Sequence, residues 1–431
     1  MSKEENRKNF SKYVSQNILG MIGFSCYVLA DSYFISIAKG ADGLTALNLV
    51  MPLYSIIFSI GEMIGVGSAI RYAISKIKKD ADADDYFWNA LIWCILSSML
   101  FVFAGIFFSA DIMRVLGADE HIVAVGNNYT KIFMCFAPMF MCNYVTNAFV
   151  RNDGAPGIAM SATLFSSLFN IVFDYILMFP MNLGMEGAAL ATALSPIIGM
   201  GICSIHFFSK KSSVRLVVCK PSVRKLVAGC QLGVSAFVGE MSSAVITLAF
   251  NFVILKLTGN VGVAAYGVVA NIAIVTTAVF NGVAQGSQPL ISSCFGRGDK
   301  DGCTQLKRMG YTTAFVLAAV MYSILFIFAE QFVAVFNSEG SEILRLYATE
   351  GVKLYFIGIF FAGINIVGGG AFSATEDAFK AAVVSVARGF VLILGAVFVM
   401  SALFGMTGVW LAYAVAEGIT TFIMLVMALR V

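Results

Sequence analysis

The sequence predicts an all-α polytopic membrane protein with twelve transmembrane helices in two pseudo-symmetric six-helix lobes. Of its 431 residues, 59% are hydrophobic and only 12% are charged, whereas soluble domains carry about 25% charged residues. Uninterrupted apolar runs long enough to cross about 30 Å of hydrocarbon recur along the whole chain. These runs are continuous rather than alternating, which excludes a transmembrane β-barrel. The two halves also resemble each other, which predicts a repeated architecture.

The apolar runs place the individual transmembrane helices. We expect helices over residues 16–38, 44–72, 87–109, 124–149, 157–180, 186–209, 227–256, 262–293, 310–329, 345–372, 378–400 and 405–428. With the N-terminus inside, the predicted cytoplasmic segments hold 21 Lys and Arg residues, Arg151 among them, and the outer segments hold six. Because cytoplasmic loops are enriched in these residues, we expect both termini in the cytoplasm. The first 15 residues are polar and lack the apolar core of a cleaved signal peptide.

An internal repeat relates the two halves at an offset near 220 residues. Gly40 matches Gly259 at an offset of 219, and the segment GMEG at 184–187 matches GMTG at 405–408 at an offset of 221. Six helices is an even number, so both copies enter the membrane in the same orientation. Such parallel repeats are related by a pseudo-twofold axis along the membrane normal, with a cavity between them.

The repeat divides the chain into three parts. We expect an N-terminal lobe over residues 1–209, a basic cytoplasmic linker over 210–226 and a C-terminal lobe over 227–431. Two lobes around one cavity suit a transporter, because rocking the lobes exposes the cavity to alternate sides of the membrane.

Two carboxylates in the first half are candidates for an ion site. Asp31 lies in the outer half of the first span and Asp174 lies inside the fifth. Placing an ionisable group in hydrocarbon costs free energy, so each such residue is a functional candidate. Asn170 precedes Asp174 by one helical turn and shares its face. Two adjacent carboxylates repel each other, so the pair can hold a proton, or a Na⁺ ion with help from neutral oxygens. Four residues could supply those oxygens: Asn170, Thr192, Tyr129 and Asn147. The alternative is that both carboxylates only cap or bond neighbouring helices.

The second half carries a different set of polar residues. Glu240 and Arg388 lie at comparable depth, about 13 and 10 residues from a cytoplasmic end, which predicts an ion pair between them. The alternative is that Glu240 faces the cavity and binds organic cations. Glu62, Gln285 and Gln288 could also line the cavity, or each could make one bond between helices.

Several stretches, in order along nearly the whole chain, resemble one family of transporters. They are ADSYFISIAKGADGLTALNLVMPLYSIIF, IGVGSAI, AFVRNDGAPGIAM, FNIVFDYILMF and GMEGAALATALS in the first half, and AYGVVANIAIV and GVAQGSQPLISSCFGRGD in the second. On these residues the chain resembles the multidrug and toxic compound extrusion (MATE) family and its prokaryotic DinF-like branch. The resemblance implies a multi-pass protein in a prokaryotic plasma or inner membrane.

The resemblance also implies a cation site in the N-terminal lobe. The branch uses acidic, amide, hydroxyl and phenol side chains of four helices, which fall on Asp31, Asn170, Asp174, Thr192, Asn147 and Tyr129. Family members often carry a proline near the start of the first and seventh helices, whereas these regions read QNILGMIGF and QLGVSAFVG. Helix bending by proline is therefore not expected, although Gly20 and Gly23 would permit the first helix to bend.

We therefore expect a secondary transporter that exports small organic, cationic or amphipathic compounds by antiport with H⁺ or Na⁺ through alternating access. Its partners would be these small-molecule substrates and membrane lipids. We expect a monomer without a cofactor, without a metal beyond Na⁺ at Asp31 and Asp174, and without enzymatic activity. The net charge of +3 and the lack of a basic tract argue against nucleic acid as a partner.

Two other functions are considered. A lipid-linked sugar flippase of the same wider superfamily would need a basic cavity for a pyrophosphate, and Arg388 is the main mid-span cation. A membrane enzyme binding Mg²⁺-pyrophosphate would need acidic clusters such as DADADD at 80–85, but that segment follows the basic KIKK in a short loop. The sequence has two histidines, no G-x-S-x-G and no Walker-type motif, so an ion gradient would have to supply the energy.

Overall fold

The protein is described by a computed structural model that covers residues 3–336 and 341–429. Within these residues the chain forms helices and no strand. The α-helices are α1 (Lys3–Lys78), α2 (Asp85–Val115), α3 (Glu120–Cys135), α4 (Ala137–Asn152), α5 (Pro156–Met178), α6 (Gly184–Phe207), α7 (Val223–Gly296), α8 (Lys300–Ile327), α9 (Ala329–Phe336), α10 (Glu342–Tyr355), α11 (Ile359–Ala374), α12 (Ala378–Val386) and α13 (Leu392–Leu429). A 3₁₀ turn over Phe356–Gly358 joins α10 to α11, and a π-helical turn over Ala387–Val391 joins α12 to α13.

Glycines with left-handed backbone angles break the longest helices. A straight α1, with 76 residues, would be about 110 Å long, but Gly40 (φ 58°) breaks its helical path. Gly259 (φ 68°) does the same in α7, and Gly405 (φ 58°) in α13. Gly184, the repeat partner of Gly405, also has a positive φ of 51°. Glycine adopts these angles without the penalty a side chain would incur, so these four glycines, which the sequence repeat matches in two pairs, share a positive φ.

The described residues form the helices of a multi-pass membrane protein. Nine helical stretches of these residues are long and apolar enough to cross a membrane, with α1 counted as two and α10 joined to α11, or ten if α3 and α4, which meet at 46°, form one crossing. This count treats Val223–Gly296 and Ala378–Ala428 as single helices although each contains a glycine break. Large side chains such as Phe103, Phe107 and Leu403 are exposed on the bundle surface, where lipid would cover them. The count of twelve, the orientation of the termini and the lobe boundaries stay predictions.

Two helices begin well before their apolar runs. α1 begins at Lys3 rather than at residue 16, and α8 begins at Lys300 rather than at residue 310. The extra turns are polar and amphipathic, so a search for apolar runs omits them. Asp299 caps α8 by accepting a hydrogen bond from the backbone N–H of Gly302 at 2.8 Å, which satisfies one of the unpaired donors of the first turn.

The first helix keeps helical backbone angles at the two glycines where sequence analysis allowed it to bend. Gly40 is the residue inside α1 with non-helical backbone angles, and Gly20 and Gly23 are helical. Their lack of a side chain instead lets α5 approach closely. A Cβ atom at Gly20 would lie 3.7 Å from Cα of Met160, and one at Gly23 would lie 2.5 Å from Cδ2 of Leu164. These glycines therefore serve helix packing.

The two halves of the chain meet backbone to backbone near one end of the bundle. We call this the basic end: residues 3–12, 71–85, 208–225 and 297–308. A Cβ atom at Gly67 of α1 would lie 2.0 Å from the carbonyl oxygen of Gly229 in α7. A Cβ atom at Gly233 would likewise lie 2.0 Å from the carbonyl oxygen of Met63. No side chain fits at either glycine while the helices are in contact.

Polar contacts join the halves at the surface of the basic end. Arg71 forms an ion pair with Glu376 of the α11–α12 connection, and Nζ of Lys78 lies 3.4 Å from Oε2 of the same carboxylate. Lys225 at the start of α7 pairs with Asp82 at 3.0 Å, and this hydrogen bond lowers the pKa of Asp82 below its usual value. Together with the glycine contacts, these pairs close the basic end.

Candidate functional site

Two buried carboxylates from α1 and α5 form an acidic pair in the first half of the chain. Asp31 is 7% exposed and Asp174 is fully buried, and the two carboxylates lie within electrostatic reach of each other. Each carboxylate has one Oδ1 atom that is buried without a hydrogen-bond partner. No Lys, Arg or His of the described residues forms an ion pair with either. The pair therefore has buried acceptor atoms available for a cation.

Neutral polar groups complete the surroundings of Asp174. Asn170, one turn earlier on α5, is fully buried. With its amide oriented to satisfy both neighbours, its Nδ2 donates to Oδ2 of Asp174 at 3.0 Å. Its Oδ1 then accepts from the hydroxyl of Thr192 on α6 at 3.2 Å and from the Thr192 backbone N–H at 3.3 Å. The Asn170–Asp174 spacing therefore places an amide, a hydroxyl and a carboxylate in one network.

A pair of tyrosines borders the acidic pair. Tyr129 of α3 is fully buried, and its hydroxyl forms a short hydrogen bond with the hydroxyl of Tyr54 on α1. The ring of Tyr54 stacks on Phe133 with 3.6 Å between centroids, which fixes its position. Both phenols lie within electrostatic reach of Asp31. Sequence analysis predicted Tyr129 and missed Tyr54, because no local spacing links residues of separate helices.

Asn147 lies apart from this network, contrary to prediction. Its Nδ2 donates to the carbonyl oxygen of Ala159 and to the hydroxyl of Thr163, both at 3.2 Å. These residues precede Asn170 on α5 by 11 and 7 positions, about 16 and 10 Å along the helix. Asn147 instead lines the central cavity. The fourth-helix amide is therefore an error of the residue-by-residue transfer from the family pattern.

A central cavity lies between the two halves of the chain. The five weaker candidates from sequence analysis all line it: Glu62, Glu240, Gln285, Gln288 and Arg388. Aromatic side chains share the lining: Phe24, Tyr27, Phe58, Phe140 and Tyr144. Acidic, amide and aromatic groups in one cavity can hold a cation with an apolar body, because aromatic faces attract cations.

Arg388 pairs with Glu417, so the predicted ion pair with Glu240 is wrong. Nη2 of Arg388 lies 2.7 Å from Oε1 of Glu417, and Nε donates to the same oxygen at 3.1 Å. Nδ2 of Asn365 donates to Oε2 of Glu417 at 2.7 Å, and Thr421 donates to Oδ1 of Asn365 at 3.0 Å. Equal depth did bring Glu240 and Arg388 to one cavity, but the carboxylate that faces the guanidinium comes from α13.

Arg151 lies inside the protein rather than in a cytoplasmic loop. It is on the last turn of α4, is 5% exposed and lines the central cavity. Its Nη1 donates to Oε1 of Gln285 at 2.7 Å, and Nε2 of Gln285 donates to Oε1 of Glu62 at 3.3 Å. Sequence analysis placed Arg151 in a loop and so missed a second cation of the cavity. Its position near the end of α4 did not show that its side chain points inward.

Comparison with known proteins assigns the chain to a family. The MatE family model matches residues 17–176 and 236–399. The chain belongs to the MatE family. The two matched stretches begin 219 residues apart, which is the offset of the repeat in the sequence. The family resemblance and the multi-pass membrane location predicted from the sequence are both confirmed.

Similar proteins cover nearly the full length of this MatE chain. It is 26% identical over 409 residues to the multidrug export protein MepA of Staphylococcus saprophyticus, covering 93% of this chain and 89% of that protein. It is 27% identical over 414 residues to MepA of Staphylococcus aureus strain MRSA252, with the same coverage of both chains.

Solved structures share the fold at low sequence identity. One is an outward-facing multidrug resistance MATE family transporter of the MOP superfamily, with a TM-score of 0.92, 20% identity and coverage of 99% of this chain and 96% of that one. Another is a MOP superfamily transporter from Pyrococcus furiosus, with a TM-score of 0.90, 20% identity and coverage of 98% and 95%. These comparisons establish the MATE transporter fold for this chain.

Tyr27 connects the two polar regions of this MatE protein. It precedes Asp31 by one turn of α1 and lines the central cavity. Its phenol lies within electrostatic reach of Asp31, Asp174 and Glu240. The i, i+4 spacing to Asp31 was a signal that sequence analysis did not use. One side chain of α1 therefore lies within electrostatic reach of both the acidic pair and a carboxylate of the cavity.

Proposed function

We propose that this MatE protein exports small organic cations, or amphipathic compounds with a cationic group, by antiport with H⁺ or Na⁺. The observation that carries the proposal is the acidic pair Asp31 and Asp174, buried together without an ion-paired cation among the described residues. Isolated charges of this kind are costly unless a cation joins them. Asn170 and Thr192 offer the additional neutral oxygens that Na⁺ would use. The multidrug export proteins of the two staphylococci support the choice of substrate class.

The transport cycle we propose is alternating access between two lobes. The chain would cross the membrane twelve times, with crossings reversed at the glycine breaks Gly40, Gly259 and Gly405. Both termini would lie in the cytoplasm, which makes the closed basic end the cytoplasmic gate. Residues 1–209 and 227–431 would rock against each other, joined by the linker 210–226, and no second copy or cofactor would take part.

Cation binding would act through its different affinity for the two states. In the outward-facing state H⁺ or Na⁺ would bind Asp31 and Asp174, which removes the repulsion between them and changes the packing of α1 on α5. Substrate would leave to the outside, the lobes would close, and the cation would dissociate to the cytoplasm. An ion shifts this equilibrium only by as much as it prefers one state, so the coupling requires the acidic pair to change its surroundings between states.

Lipid-linked sugar flipping is less well supported than export of cations. A pyrophosphate would need free positive charge, whereas the guanidinium of Arg388 is paired with Glu417 and that of Arg151 lies within electrostatic reach of Glu62. Two carboxylates, Glu62 and Glu240, line the same cavity and would repel the pyrophosphate. The MatE family and its solved transporters likewise favour transport over a membrane enzyme.

The proposal is tested by transport in proteoliposomes under imposed gradients. Ethidium would be the probe, driven by a pH gradient without Na⁺ in one arm and by a Na⁺ gradient at equal pH in the other. Asp31→Asn is expected to reduce ion-driven transport at least about tenfold, because an amide carries no negative charge that the cation can neutralise. Asp42→Asn is the matched control, since Asp42 is half-exposed and bonded to His121 at 3.0 Å. Wild-type transport rates in Asp31→Asn would refute the coupling site.

A further inference from the structure

Three side chains from both halves of the chain form a polar bridge at the side of the cavity nearest the basic end. We call this side the floor. Nη1 of Arg151 donates to Oε1 of Gln285 at 2.7 Å, and Nε2 of Gln285 donates to Oε1 of Glu62 at 3.3 Å. Arg151 and Glu62 belong to the first half of the chain and Gln285 belongs to the second. The described residues give no ion pair within 4.0 Å between Arg151 and Glu62 themselves. The amide of Gln285 therefore lies between the two charged side chains and makes one hydrogen bond to each.

The bridge depends on closure of the basic end. Gln285 lies on the face of α7 that contacts α1, between two glycines of close approach. A Cβ atom at Gly282 would lie 2.6 Å from Cα of Ile18, and one at Gly286 would lie 2.7 Å from Cα of Val14. If the two halves separated here, Gln285 would leave with α7, while Glu62 and Arg151 would stay with the first half. The amide is thus held against these charges by the same contacts that close the floor.

Glu62 is a strong candidate to receive the charged group of a substrate. It lines the cavity together with Phe58 and Tyr144, and its charge is within reach of Glu240 and Arg151. In the closed arrangement its Oε1 atom accepts a hydrogen bond from Gln285. A substrate ammonium or amidinium bound at Glu62 would need the same oxygen. Gln285 and the substrate therefore compete for one acceptor.

We propose that Gln285 is a positioning residue that expels substrate from Glu62 when the floor closes. With the basic end open, Glu62 is available to a cation entering from that side. When the halves close, the Gln285 amide arrives at Glu62 and is itself held by Arg151, so the affinity for the substrate falls as the cavity turns outward. This inference rests on the proposed function. It supplies the difference in affinity between the two states that export requires.

The test compares Gln285→Leu with a matched control, Gln305→Leu. Gln305 of α8 also makes a hydrogen bond between the halves, accepting from Nδ2 of Asn6 at 3.2 Å, but it lies away from the cavity. Binding of ethidium to purified protein in nanodiscs would be measured by fluorescence polarisation, and its transport by proteoliposome assay. Gln285→Leu is expected to bind ethidium about ten- to a hundredfold more tightly, the value of one hydrogen bond to a charged group, and yet to transport it more slowly. Gln305→Leu is expected to leave the affinity unchanged.

Hydrogen exchange supplies a readout that does not depend on transport. In Gln285→Leu we expect faster amide exchange over residues 8–18 and 282–290, because one tie across the floor is lost. Unchanged or weaker ethidium binding in Gln285→Leu would overturn the inference, the latter by making Gln285 a ligand of the substrate. If the wild-type protein binds no organic cation at all, the proposed function fails together with the inference. Normal wild-type binding with no change in the variant would overturn the inference alone.

Discussion

The buried ion pair of the second half gives the most quantitative prediction. Glu417 has only 3% of its side chain exposed and Arg388 has 15%. The carboxylate accepts from Nη2 of Arg388 at 2.7 Å, from Nε at 3.1 Å and from Asn365 at 2.7 Å. Removing one partner of a buried pair costs about 3–5 kcal/mol, since the other charge is left buried and unpaired. Glutamine keeps the volume and one acceptor oxygen, so Glu417→Gln should destabilise the protein by about 3 kcal/mol.

The assay is an SDS titration of purified protein in detergent micelles, followed by far-UV circular dichroism. The double variant Arg388→Met with Glu417→Met should lose only about 1 kcal/mol of stability, because Nδ2 of Asn365 loses its acceptor on Glu417. Glu350→Gln is the control, because Glu350 accepts one exposed hydrogen bond from Thr407, and it should stay within about 0.5 kcal/mol of wild type. A loss below about 1 kcal/mol in Glu417→Gln, or a double variant that is destabilised as much as Glu417→Gln or more, would refute the reasoning.

Three further predictions concern the closed end and the backbone breaks. Gly67→Ala would place a Cβ atom 2.0 Å from the carbonyl oxygen of Gly229, so the halves should fail to close, which is measured as faster hydrogen exchange at the basic end. Glu376→Gln removes the partner of Arg71; because both are partly exposed, the loss should be about 1 kcal/mol or less by the same SDS titration. Gly405→Ala meets no atom within 4 Å but keeps a φ of 58°, so it should cost about 1–2 kcal/mol in that titration.

The helices themselves were largely predictable, because the membrane imposes a simple rule. A lipid-exposed backbone must satisfy its own hydrogen bonds, so long apolar runs mark helices. The sequence repeat added a detail that hydropathy does not give. It matched Gly40 with Gly259, and both glycines interrupt a helix with a positive φ. What the apolar runs could not show were polar extensions such as the first turns of α1 and α8. Those turns are stabilised by caps and by contacts with the other half, which have no signature in hydropathy.

Part of the candidate ion site was predictable, because the spacing of two of its residues is local. Asn170 and Asp174 are four residues apart, so a helix places them on one face, and the cost of burying a charge singled out Asp31. Tyr54 could not be found in this way, since its contact with Tyr129 joins residues of separate helices. Asn147 shows the opposite error: the family pattern suggested a role in this network that its contacts with α5 do not give it.

The error at Arg388 has a specific physical origin. Distance from a helix end gives the depth of a residue in the membrane, but not the direction in which its side chain points. Glu240 and Glu417 are both mid-span carboxylates, so depth alone could not choose between them. The choice follows from the rotation of each helix about its axis, which packing determines. The π-helical turn over Ala387–Val391 also sets the direction of Arg388, and such turns often occur at functional positions.

The halves share a backbone design but differ in charge, and this difference bears on coupling. In the second half, Glu417 already has a cation of the chain itself, held by two nitrogen atoms of Arg388. In the first half, the described residues provide Asp31 and Asp174 with amide, hydroxyl and phenol neighbours and no such partner. A mobile cation can neutralise the acidic pair, whereas at Glu417 it would have to displace a guanidinium fixed to α12 and α13. Under the proposed function, ion binding is therefore confined to the first half.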